Sequence, residues 1–164
     1  GPFSGIKRSL KDGGIRVPCL AWWPGTVRPG GETAHVAYFG DWFATAAELA
    51  GTKAPAGLDS LSFVPTLRGL TREQKAHEFL YWEFHERGFN QAALHQGRWK
   101  GIREGSLAAP LALYDLRSDV TEKTNVAAQH PEVVARIDAY LTTARSDNPD
   151  WQPRAAAPMK AKQR

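Results

Sequence analysis

Gly5-Ile6-Lys7-Arg8-Ser9-Leu10-Lys11-Asp12-Gly13-Gly14-Ile15-Arg16-Val17-Pro18-Cys19-Leu20-Ala21-Trp22-Trp23-Pro24-Gly25 is the stretch on which the reading of this 164-residue chain turns. Its second half, residues 15–23, is a nearly continuous apolar run stopped by Pro24-Gly25. That pattern predicts a short strand buried on both faces, as in a parallel sheet. One strand makes no sheet, so its partners are expected outside this sequence. The first half is basic and glycine-rich, with Lys7, Arg8, Lys11 and Arg16 around Gly13-Gly14. A glycine pair permits positive φ and a close approach of another backbone segment. A lysine held by such a turn can set a compact ammonium against a tetrahedral oxyanion. From composition alone the plainer reading, a solvated basic loop, has the advantage.

Upstream, Gly1-Pro2-Phe3-Ser4-Gly5 has no initiator Met, signal-peptide pattern or helix cap, so the chain is expected to be a piece of a longer one. Downstream, Asp41 is expected as the N-cap of a helix over 42–50 with Gly51 at its left-handed exit. Trp42, Ala46, Leu49 and Ala50 would share one face of that helix. Residues 52–72 read as a loop-rich connector broken by Pro55, Gly57, Pro65 and Gly69. From Phe79 on, four short aromatic or β-branched runs (79–86, 91–95, 99–103 and 111–116) predict an antiparallel meander, with a turn at Gln96-Gly97. Pro131 and Glu132 then open an amphipathic helix over 131–145, with Val133, Val134, Ile137, Tyr140, Leu141 and Ala144 apolar and Arg145 closing it. The piece is therefore α+β, one helix layered on a small four-stranded sheet.

Composition excludes several classes. Six Trp, seven Phe and four Tyr rule out wholesale disorder, and no apolar run approaches the ~20 residues of a membrane span. A single cysteine forms no internal disulfide framework and no cysteine-based zinc site; within its apolar run Cys19 reads as a packing residue rather than a nucleophile. The formal charge of +4 comes from Arg154, Lys160, Lys162 and Arg164, because residues 1–151 carry 17 basic and 17 acidic side chains. That basic tail is expected to be disordered, and no nucleic-acid-binding face is expected on the body. The five histidines lack metal-ligand spacing, and no G-x-S-x-G or phosphate-cradling loop is present. This segment alone does not hold a complete active site.

The pattern Lys7 to Asp12, Gly13-Gly14, Ile15-Arg16-Val17-Pro18 and Trp23-Pro24-Gly25 resembles the C-terminal portion of the sulfatases, members of the alkaline-phosphatase-like α/β fold. Four further blocks follow in the family's order: Asp41 to Gly51, Gly57 to Phe63, Tyr81 to Phe84, and Leu113 to Asp119 with Glu122 and Asn125. The resemblance covers residues 1–150 and implies hydrolysis of sulfate esters. It implies a formylglycine made from Cys or Ser in a C/S-x-P-x-R motif, a calcium ion, and a catalytic, sulfate-binding lysine that maps onto Lys7. It implies as partners a sulfated small molecule or glycan and an N-terminal catalytic half, and an exported or lysosomal location. Residues 1–72 would end the catalytic domain, 73–150 would form the antiparallel subdomain, and 151–164 the tail. Cys19, followed by Leu20-Ala21-Trp22-Trp23, is not the formylglycine cysteine, and the family's metal-binding carboxylates lie outside the motifs present, so the piece alone is expected to bind no metal and to be inactive. Asp12 stands for the usual Glu, Lys11 for a common aromatic and Val120 for a frequent Pro. His85, Arg87 and Gln91 are candidates for the pocket rim, with ordinary surface roles as the plainer reading. The alternatives are a non-catalytic module for anionic glycans or a phosphoesterase on the same scaffold.

Overall fold

The computed structural model describes residues 1–85 and 88–153. In chain order the elements are α1 (Asp12–Ile15), α2 (Asp41–Leu49), α3 (Val64–Leu67), β1 (Phe79–Phe84), β2 (Asn90–His95), β3 (Trp99–Arg103), β4 (Ala112–Asp115), a single 3₁₀ turn (Ala127–Gln129) and α4 (Pro131–Leu141). Contacts group them into two compact units, one formed by Gly1–Arg16 with the chain from Phe79 onward, the other by Val17–Glu78. The basic tail beyond residue 153 lies outside the described residues.

The first unit is built on the expected meander, a sheet of order β1-β2-β3-β4 with every neighbour antiparallel. The β2–β3 hairpin closes through Gln96 and Gly97, with φ of 51° and 65°. Two consecutive positive φ angles twist the chain in the sense that hairpin strands need. Period-two alternation then sorts the side chains onto two faces. One face carries Ala93 and Leu113, which with Leu111 pack under Ile137 and Leu141 of α4. Burying each of those two helix side chains contributes about 1.5–3 kcal/mol. Phe79 stacks on His95 at 4.5 Å and on Tyr140 at 4.2 Å. The other face carries Ala92, Ile102 and Tyr114, covered by Leu10 and Ile15. The sheet is thus covered on both sides, by α4 and by the glycine-rich opening segment.

Helix α4 starts at Pro131 as expected but stops at Leu141, not at 145. Thr142 and Thr143 turn their hydroxyls onto the carbonyls of Ala139 and Tyr140, at 2.7 and 3.2 Å. Such local bonds compete with helix continuation. Arg145 consequently does not cap the helix; its Nε lies 3.1 Å from Glu83 Oε2.

The second unit departs from expectation in three places. The strand expected over 15–23 is absent: Ile15 ends α1 in the first unit, residues 17–23 form no strand, and Val17, Leu20 and Trp22 are 59%, 95% and 89% exposed. A strand exists through its ladder partners, and none of the described strands pairs with this run. Cys19, expected to be packed, is exposed. Helix α2 begins at Asp41 itself, with Gly40 as its N-cap, and buries Asp41 and Thr45 while Trp42 and Leu49 stay largely exposed. Its inward face is polar because it is wired to the following loop. Asp41 Oδ1 accepts from Leu61 N (2.8 Å), Oδ2 from Tyr38 N (3.0 Å), and His77 Nε2 sits 2.9 and 3.0 Å from the two oxygens. Thr45 Oγ1 accepts from Phe63 N, and Ser60 Oγ accepts from Ala44 N while donating to Gly40 O. Gly51 makes the expected left-handed exit, φ 71°.

Gly101 lies in β3 beneath α4, where an added Cβ would stand 2.8 Å from Ile137 Cγ2 and 3.0 Å from Leu111 Cδ2. Both neighbours belong to the packed core, so Gly101→Ala is expected to destabilise the fold by about 1–3 kcal/mol through overpacking. A lowered urea midpoint with unchanged m-value is the expected result; an unchanged midpoint would show that the helix yields freely.

Candidate functional site

Lys7 sits at the tip of a tight loop, Gly5 to Leu10, whose turns need left-handed backbone at Gly5 (φ 87°) and Arg8 (φ 79°). Gly13 and Gly14 themselves lie in the helical turn α1 rather than at positive φ. Their lack of side chains serves close approach instead. A Cβ on Gly13 would overlap the carbonyl oxygens of Gly5 and Ser4, and one on Gly14 those of Ser9 and Ile6. The loop therefore lies directly on the glycine pair, tied by Gly13 N donating to Ser4 O (2.7 Å) and Ser9 N to Ile6 O (2.9 Å). Leu10, 6% exposed, plugs the loop's far end into the sheet face. Lys7 is exposed, and its side chain makes no hydrogen bond or ion pair among the described residues.

Behind this loop lies a buried ionic lock. Lys100 is fully buried, and its Nζ stands 2.5 Å from Asp12 Oδ1 and 2.9 Å from Glu122 Oε1. Glu122 Oε2 accepts from Asp12 N at 2.6 Å, and Lys11 Nζ donates to Glu122 O at 2.8 Å. Lys11 also lies 5.0 Å over the Tyr114 ring, so the position where an aromatic is common still packs on the sheet. Removing one partner from a buried ion pair leaves the others unsolvated and typically costs 3–5 kcal/mol. Arg16 adds a looser contact to Asp12, 3.6 Å, at the surface. Glu122 adopts φ 51°, a left-handed geometry uncommon for glutamate, and the turn that imposes it is built on Asp119. Asp119 accepts from the Thr121 hydroxyl (2.7 Å) and from the N–H groups of Thr124 (2.7 Å), Lys123 (2.8 Å) and Thr121 (3.2 Å). These bonds, the Thr121 hydroxyl foremost, hold its carboxyl down at about 2.

The other sequence candidates separate. Gln91 is 1% exposed within the sheet, so it is no rim residue. His85 is tucked against Phe89 and Trp151 with its Nε2 3.3 Å from Glu83 Oε1. Arg87 lies outside the described residues. Within the Leu113–Asp119 block, Asp115 makes a two-pronged pair with Arg98 (2.9 and 2.7 Å), and Asn125 Oδ1 accepts from Leu113 N. Lys100 was missed by sequence reasoning. Its signal was a lysine alternating with Ile102 on what should be an apolar strand face.

The calcium and formylglycine implied by the resemblance do not fit the residues described. Asp12 and Glu122, the carboxylates behind the lysine loop, are committed to Lys100 and to Asp12 N. Among the described residues no three His, Cys, Asp or Glu side chains gather around a common point that could hold a metal ion. Cys19 lacks the x-P-x-R that would make it a formylglycine precursor. Among the described residues no helix is long and apolar enough to cross a membrane.

Residues 5–147 match the family model described as N-sulphoglucosamine sulphohydrolase, C-terminal. The chain is 30% identical over 161 residues to N-acetylgalactosamine-6-O-sulfatase of Bacteroides thetaiotaomicron, covering 89% of this chain and 30% of that protein. It is 31% identical over 145 residues to arylsulfatase K of Xenopus laevis, covering 82% and 27%. The solved structure of Ps i-CgsB in complex with k-i-k-neocarrahexaose superposes with a TM-score of 0.75 at 25% identity, over 87% of this chain and 32% of that one. The chain thus spans about a third of the length of the relatives it matches.

Two outcomes follow from the geometry. Gly14→Ala should unseat the Lys7 loop while leaving the sheet intact; retained dispersion of the Ile6 and Ser9 amide signals in an NMR spectrum would contradict the close approach. Asp119, depressed below its ordinary 3.8, stabilises the turn carrying Glu122 fully above that value, and this contribution is lost as pH falls through about 2. A carboxyl carbon titration of Asp119 with a midpoint at or above 3.8 would contradict the bonding described.

Proposed function

The chain belongs to the sulfatase family, matching its C-terminal domain, and on that premise we propose that it is the C-terminal part of a sulfuric ester hydrolase in which Lys7 binds the sulfate group. One observation carries the reading: an exposed ammonium on a loop that is otherwise locked from behind. Lys7 stays solvated and unpaired among the described residues, while Leu10, the glycine pair and Asp12 fix the backbone that presents it. A fixed cation meets charge that develops on sulfate oxygens, or on the departing alkoxide, with no reorganisation at the moment of reaction. Lysine suits this task because its charge is compact and its three donors can rotate onto a tetrahedral group.

Calcium and formylglycine, as the resemblance implies them, would be supplied by other residues of a longer enzyme. The exposed apolar side chains of the second unit support that setting. Leu20, Trp22, Phe39 and Phe43 are 95%, 89%, 78% and 57% exposed, large apolar side chains whose burial against a neighbour would be favourable. An N-terminal catalytic portion packed on them would cover these side chains. On this reading residues 1–72 end the catalytic domain and 73–150 form the antiparallel subdomain, with residues 1–16 reaching across to the sheet. The similarity to an N-acetylgalactosamine-6-O-sulfatase favours a sulfated sugar as the substrate.

In the full-length enzyme, Lys7→Met is expected to lower kcat for sulfate-ester hydrolysis by roughly 100- to 1,000-fold, the usual effect of removing one transition-state contact. Wild-type kcat in that variant would refute the role. The 164-residue chain alone is expected to release no sulfate from an aryl sulfate with calcium present, and turnover by it would overturn the assignment of the remaining chemistry to other residues.

A further inference from the structure

We propose that Lys100 is a positioning residue for Lys7, acting through Asp12 and the glycine pair; the inference rests on the role of Lys7 proposed above. The path is continuous. Lys100 Nζ, on the sheet face opposite α4, holds Asp12 Oδ1 at 2.5 Å and Glu122 Oε1 at 2.9 Å. Glu122 closes the triangle by taking Asp12 N at 2.6 Å, so α1 is gripped by both its side chain and its backbone. Directly after Asp12 come Gly13 and Gly14, on which the carbonyls of Ser4, Gly5, Ile6 and Ser9 rest without any side chain between. A shift of Asp12 must therefore move the loop, because no compressible layer separates the two. Lys7 stands at the loop's crest. The lock lies beneath and the functional ammonium above, with the glycine pair as a rigid spacer.

The arrangement separates two jobs that one lysine could not perform together. A buried lysine between two carboxylates is fixed but out of a ligand's reach. An exposed lysine on a free loop has donors but no fixed place. Lys100 and Lys7 divide fixation from ligand contact, and Asp12, the residue standing where a glutamate is usual, joins them. The aspartate reaches Lys100 with Oδ1, and Glu122 brings Oε1 to the same ammonium from its left-handed turn. Lys100 itself is fully buried, so it does not touch substrate.

Because Lys100→Met alone leaves Asp12 and Glu122 buried without a counter-ion and can unfold the chain, the decisive variant is the charge-free triple Asp12→Asn, Lys100→Met, Glu122→Gln. In the 164-residue chain, amide hydrogen exchange is expected to speed by about tenfold or more at Ser9, Gly13 and Gly14 in the triple variant. Ala93 and Leu113 in the sheet should keep wild-type protection. Unchanged exchange at Ser9, Gly13 and Gly14 overturns the proposal, and so does equal acceleration across the sheet, which would mark a general loss of stability. In the full-length enzyme, the triple variant should lose roughly 100-fold in kcat, the scale of an ångström-sized misplacement. Combined with Lys7→Met it should add little further loss, since both changes act on the same contact. Additive losses would place the lock outside the path to Lys7. Wild-type kcat in Lys7→Met would instead remove the catalytic reading, while the exchange measurement still decides whether Lys100 holds the loop.

Discussion

A fully buried ammonium between two carboxylates organises the first unit of this chain. Desolvating Lys100 is expensive, and only close opposite charges make it tolerable. That requirement draws Asp12 of the opening segment and Glu122 of the loop after β4 onto the middle of β3, three pieces of chain far apart in sequence. Burial of Leu10 and Ile15 alone is non-directional and would leave the opening segment some latitude on its face of the sheet. The ionic triangle does not tolerate such latitude, and so it fixes the register of the opening segment where burial alone would let it slide.

Around that triangle the remaining features take their places. Leu10 fills the apolar gap beside Ile102 and Tyr114. The glycine pair turns a helical turn into a flat seat for the loop above it. Asp119, drawn to low pKa by the Thr121 hydroxyl and neighbouring backbone N–H groups, shapes the turn that aims Glu122 inward. In the second unit the same principle recurs with different groups. Asp41, 1% exposed, gathers two backbone N–H groups and the His77 ring, and a helix that looks amphipathic in sequence becomes anchored by its polar face. Glu83 is a third such centre. Burial alone would push its carboxyl upward, yet the Tyr81 hydroxyl, the Trp151 indole and Arg145 together hold it below its ordinary value.

Membership of the sulfatase family accounts for the order of these motifs, and the structure shows that most of them do architectural work. The Asp41 to Gly51 and Gly57 to Phe63 blocks bond to each other through Asp41, Thr45 and Ser60. The Leu113 to Asp119 block with Glu122 and Asn125 shapes the end of the sheet and the carboxylate partner of Lys100. Lys7, by contrast, is presented to solvent and makes no hydrogen bond or ion pair among the described residues.

Local pattern was enough for the meander and for the start of α4. Strand alternation, the Gln96-Gly97 turn and Pro131 act over a few residues, so neighbours in sequence carry the information. The lysine–glycine motif drew notice through its resemblance to a family pattern, since composition alone favoured a solvated basic loop. Three features could not be read this way. The apolar run at 15–23 has strand character but no strand, because pairing depends on a partner rather than on the run. Helix α2 buries Asp41 and Thr45, because their hydrogen-bond partners lie in the loop that follows and at His77. Lys100 looks like an ordinary strand lysine until Asp12 and Glu122 are brought around it from 88 and 22 positions away. Short-range periodicity and turn chemistry reside in the sequence, whereas the cost of burying a charge depends on which distant groups the folded chain brings to it.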